Sequence, residues 1–160
     1  MPKKKNSKKK NKKKNVSTNK KVNWIIHLDA NGYRSQISGR YINNLLPGLA
    51  NFHSHGMEQY NHPDFQLVLD GPLDSAASII HALCLRVRAG ERFKDGDYVK
   101  GILVDQDIRL DTYEEHGRNV LRVMIPDGNN IFPDDPRCDI FYRVQLFKTE
   151  NIYIPNVDSL

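Results

Sequence analysis

Three of the chain's six histidines, His53, His55 and His62, fall within ten residues of one another, in the run NFHSHGMEQYNHPDFQLVLD from Asn51 to Asp70. Neutral imidazole is a ligand for zinc and iron and a general acid or base near neutral pH. On a strand, His53 and His55 stand at i and i+2 and therefore share a face. His62 is expected to return toward them across the loop, completing a set of three metal ligands with a position left open for water. Glu58 offers a carboxylate ligand or a general base, and Asp64 a further polar contact. The chemistry implied is metal-dependent or acid–base hydrolysis. Known His-x-His hydrolase patterns fail on particular residues: a metallo-β-lactamase needs Asp where Met57 stands. The bland alternative is a polar strand end whose histidines hydrogen-bond the backbone.

Other residues carry weaker chemistry. Arg88 and Arg92, in VRAGERFKDGD, are candidates for holding an anion, although the run is neither a Walker loop nor a dinucleotide fingerprint. Its glycines also serve simply to end a helix and turn the chain. Cys84 falls on an apolar helical stripe, which points to core packing. Cys138 lies among Asp134, Asp135 and Asp139, whose charge disfavours a thiolate. With no CxxC spacing, the two cysteines fit a reducing, cytoplasmic setting.

The elements that must position these residues read as follows. Val22 to Leu28 is a strand, and Tyr33 to Tyr41 is its expected hairpin partner across the turn Asp29 to Gly32. Leu49 to His55 and Phe65 to Leu69 are strands, joined by a polar loop. Asp74 to Ala89 is the clearest helix. Ala76, Ile80, Leu83, Cys84 and Val87 form its apolar stripe, Asp74 or Ser75 is its expected cap, and Gly90 its stop. Ile108 to Tyr113 and Val120 to Pro126 form a second hairpin around a loop from Glu114 to Asn119. Pro126 to Asp139 is loop, Ile140 to Phe147 suits strand or helix, and the last residues read as a loose end. The pattern is α+β: a single domain over 22–150 with one principal helix packed on a mostly antiparallel sheet, followed by a C-terminal extension over 151–160.

The first 21 residues are a different polymer. They hold eleven lysines and no acid, and such a segment cannot bury enough to offset its ordering entropy. Disorder is the expectation for 1–21. The remaining 139 residues keep thirteen basic against nineteen acidic side chains, a net of −6. The basic pI therefore belongs to the tail. Lys3, Lys4, Lys5, Lys8, Lys9, Lys10, Lys12, Lys13 and Lys14 are its candidate contacts to nucleic acid or another polyanion. The tail has no apolar h-region, and no stretch reaches membrane-spanning length. The function these features suggest first is a small binding or interaction module with a polybasic arm. A hydrolase using the histidine cluster, with zinc or iron as its metal, is the alternative.

HSHGMEQYNHPDFQLVL, VRAGERFKDGD, VLRVMIPD and FPDDPRCDIFYRVQ together resemble the bacterial domain of unknown function 4262 family, over Leu49 to Gln145. His62-Pro63-Asp64 and the run from Arg88 to Gly96 are the most specific pieces. The resemblance implies a common α+β fold and supplies no activity and no catalytic residue.

Overall fold

The computed structural model describes residues 21–36 and 38–155. The lysines of 1–20, with the arm's expected disorder and binding role, lie outside the described residues. Six strands form one sheet: β1 (Ile25–Ala30), β2 (Leu49–His55), β3 (Asp64–Asp70), β4 (Tyr98–Val99), β5 (Ile108–Glu115) and β6 (Arg118–Met124). Their spatial order is β1-β2-β3-β6-β5-β4. Every pairing is antiparallel except the central one, where β3 runs parallel to β6. The one α-helix, α1 (Leu73–Arg88), follows β3. The fold is α+β, as the sequence pattern implies. No helix among the described residues is long and apolar enough to cross a membrane.

Alternation along each strand sorts the two faces. Ala50 and Phe52 of β2, Phe65 and Leu67 of β3, and Leu121 and Val123 of β6 pack with Ile80, Leu83, Cys84 and Val87 of α1 in the main core. The stripe read from the sequence is the buried face of the helix, and all five of its residues are buried. The N-cap is Pro72, with no side-chain capping bond, in place of Asp74 or Ser75. Proline's preset φ suits entry into a helix, and Asp74 still lies in the first turn, where the dipole favours it.

The opposite face is closed by the C-terminal segment. Ile140–Leu146 and Thr149–Ile152 are short 3-10 helices. Ile152 is fully buried with Leu49 and Val68, and Leu45 bridges to Tyr153. The expectation of a loose end therefore fails through residue 155, because this segment covers a sheet face that would otherwise meet water. It also explains why β2 is buried along almost its whole length on both sides.

Two further expectations are corrected. Tyr33 to Tyr41 is not a strand. It holds a single bridge, Arg34 to Tyr41, and its described residues are nearly all exposed, so it has no face to bury. The partner of β1 is β2, which begins at Leu49, sixteen residues beyond the start of the expected strand at Tyr33. In the second hairpin the strands run on to Glu115 and from Arg118, leaving a two-residue turn, His116-Gly117, with φ of 49° and 82°. Two positive φ values make it a type I′ turn, whose twist matches that of the strands.

Candidate metal centre

The β1–β2 register decides which histidines meet. His27 stands directly opposite His53, and Ile25 opposite His55. The three histidines lie on the face away from α1, since Leu28, Phe52 and Ala50 occupy the other. Ring centroids are 5.4 Å apart for His27–His53, 4.5 Å for His27–His55 and 5.0 Å for His53–His55. One ring nitrogen from each of the three lies within 4.8 Å of the others. Gly56 makes the end of β2 possible. Its φ is +127°, and a Cβ there would meet the backbone of Asn23 and Trp24 at 3.0–3.1 Å.

Each ring keeps one buried nitrogen outside any formed hydrogen bond. His27 Nδ1, His53 Nδ1 and His55 Nε2 are buried nitrogens with no hydrogen-bond partner. Buried polar atoms are nearly always paired, so three orphans in one cluster require an explanation. Burial pushes the His53 pKa down to about 4, with the nearby Glu115 carboxylate only partly opposing it. Burial, then the charge of Arg118, also lowers that of His55. Neutral imidazoles with free lone pairs are the form that binds metals.

Around the trio is a charged frame. Glu115 is 1% exposed, and its Oε1 lies 3.3 Å from His53 Nδ1. That approach is too poorly aligned to make a formed hydrogen bond. Arg118 donates to Glu115 Oε2 from Nε at 2.8 Å, to Asp64 Oδ2 from Nη1 at 2.7 Å, and to the Ser54 carbonyl from Nη2 at 3.0 Å. Beyond it, a buried polar layer continues under the sheet. Arg122, fully buried, donates to Gln66 Oε1, Thr149 Oγ1 and the carbonyls of Gln145 and Phe147. Its guanidinium carbon sits 3.7 Å from the centre of the Tyr113 ring. Asn51 donates to the Tyr153 hydroxyl, which donates in turn to Asp29 Oδ2 at 2.7 Å, tying the C-terminal segment to the strand that carries His27.

The remaining predicted residues lie apart from this cluster. His62 is not the third ring. Its Nδ1 donates to the Pro63 carbonyl at 2.7 Å, its Nε2 accepts from the Phe93 amide at 3.0 Å, and it packs against Phe65 and Phe93. With both nitrogens engaged, it orders the loop. Glu58 is exposed on the 3-10 turn Met57–Tyr60 and does not join the group. Asp64 is spent on Arg118, the Ser54 hydroxyl and the Met57 amide. Arg92 donates to the Val87 and Glu91 carbonyls just past α1, while Arg88 lies over the Trp24 ring. The two arginines make separate structural contacts.

No local pattern marks His27, Glu115 or Arg118 as site residues. In sequence, His27 stands out only as a member of the first strand, whose expected partner is Tyr33 to Tyr41. A concavity of about 940 Å³ takes His116 and Tyr153 as wall, and none of the three rings lines it. No family model matches the chain, and no curated protein or solved structure matches it either.

Proposed function

We propose that the protein is a metal-binding module that holds a divalent transition ion, zinc by preference, on His27, His53 and His55. The observation that carries this is the convergence of three ring nitrogens within 4.8 Å, in a cluster whose buried nitrogens lack partners. An all-imidazole set suits zinc, with nitrogen–metal bonds of about 2.0–2.1 Å. Tetrahedral ligand atoms then lie about 3.3 Å apart, so the rings rotate slightly inward on binding. Purified full-length protein should carry or take up one equivalent of zinc, read by elemental analysis and titration calorimetry. Protein that neither contains nor binds a stoichiometric ion sinks the proposal.

Hydrolysis is the second reading, favoured by the ligand count, since three protein ligands leave a position where water would be activated. Against it, the nearby carboxylates Glu115 and Asp64 are both engaged by Arg118. Turnover of a model ester that requires the ion and stops with a chelator would promote this reading over simple binding. The lysine-rich arm adds a separate proposed activity, sequence-blind contact with nucleic acid or other polyanions. Its support is composition: eleven lysines on a chain whose remainder is net negative. Such binding weakens steeply with salt and should vanish in a chain beginning at Lys21.

A further inference from the structure

We infer that Glu115, clamped by Arg118, is the positioning residue that sets the His53 proton on Nδ1 and so presents Nε2 as the metal ligand. This rests on the metal reading above. Glu115 and Arg118 are register partners across the two-residue turn. Arg118 places both Nε and Nη2 at 2.8 Å from the same carboxylate oxygen, Oε2. Through Asp64 and the Ser54 carbonyl, the guanidinium also anchors that carboxylate to β3 and to the residue between His53 and His55.

The carboxylate therefore cannot rotate freely, and its second oxygen, Oε1, is the one turned to His53 Nδ1 at 3.3 Å. The other group near Oε1 is His116 Nε2, at 4.0 Å and exposed. A carboxylate paired with a guanidinium only accepts. A neutral imidazole has one proton, so a hydrogen on the nitrogen facing Oε1 leaves the lone pair on Nε2. At 3.3 Å and off the hydrogen-bond line, the carboxylate acts on the ring proton through its charge. A cation on Nε2 draws charge from the ring and strengthens the Nδ1–H donor, as in carboxylate–histidine–zinc arrangements.

Glu115→Gln tests this through an asymmetry specific to the site. Arg118 offers only donors, so the amide oxygen must take the Oε2 position. The amide NH₂ then faces His53 Nδ1 and donates to it, forcing the proton onto Nε2 and closing the ligand. Nitrogen-15 NMR of the metal-free full chain should show His53 as the Nδ1–H tautomer in the wild type and Nε2–H in the variant. Zinc affinity, by competition with a chromophoric chelator, should fall roughly 10–100-fold.

A merely structural role would not move the tautomer. An Nε2–H tautomer in the wild type overturns the inference even if the variant fails to fold. Unchanged zinc affinity in a folded variant overturns it too. Wild-type protein that takes up no zinc instead removes the metal reading, and the wild-type tautomer still judges what Glu115 does to His53.

Discussion

The two faces of the sheet are held by different physics. Under α1, Phe65, Leu67, Ile80, Leu83 and Val87 bury side chains that need only shape and volume. On the other face, Asn51, Gln66 and Arg122 of the sheet and Thr149 of the C-terminal segment are equally buried but each needs a named partner. Arg122 finds four acceptors and an aromatic ring, and burial only pushes its pKa down to about 10, so it stays charged at neutral pH. On the same face, the three histidines are buried or half-buried with lone pairs to spare. A polar face can therefore be saturated in one part and left unfinished in another. The unfinished part is where a ligand is expected.

The sharpest way to test the apolar side is Leu83→Ala, at a fully buried position. It should cost about 2–5 kcal/mol by denaturant unfolding. A loss below about 1 kcal/mol would mean that α1 is not seated as described. Acid should act next most strongly, and on the histidines. Burial holds the folded-state pKa of His53 near 4, below its ordinary value, and lowers those of His55 and His62 as well. The unfolded chain then binds protons first as pH falls. Stability is complete above about pH 6.5 and declines toward pH 4, with His53 alone contributing up to about 3 kcal/mol. Urea midpoints of the metal-free protein that stay flat from pH 7 to pH 5 would contradict this.

Arg122→Met keeps volume but takes the guanidinium donor from Gln66 Oε1 and from two carbonyls, while Thr149 keeps its bonds to Gln66 and Glu114. It should cost about 2 kcal/mol, since the lost hydrogen bonds are partly offset by no longer desolvating a charge. A stabilised variant would show that the polar layer is not held by that guanidinium. The smallest change is expected for His27→Ala without metal, under about 1 kcal/mol, because its Nδ1 has no partner to lose. With zinc present, the same substitution should abolish the rise in melting temperature that the ion gives the wild type. An equal rise in both proteins would place the ion elsewhere.

Much of this architecture was readable from pattern. The helix announced itself because Ala76, Ile80, Leu83, Cys84 and Val87 repeat at helical spacing, and that face is buried as a unit. β2 and β3 were legible from their β-rich runs, and the shared face of His53 and His55 from strand period alone. The hairpin turn at His116-Gly117 is not legible because the pair lacks the Asn-Gly or Asp-Gly signature of a type I′ turn, and it sits inside a six-residue polar stretch that reads as loop. The strand expected at Tyr33 to Tyr41 came from proximity in sequence, which local pattern cannot arbitrate.

What the sequence by itself determined is the α+β class, the helix and its buried stripe, and a histidine pair on one strand face, because local periodicity encodes which side of an element is covered. Only the tertiary structure decided that β1 pairs with β2, and hence that His27 replaces His62 as the third ring. Register between strands whose paired residues stand 20 to 30 positions apart depends on long-range burial and on the C-terminal segment closing the polar face. The same assembly placed Glu115 beside His53, a contact across 62 residues of chain that no local pattern records.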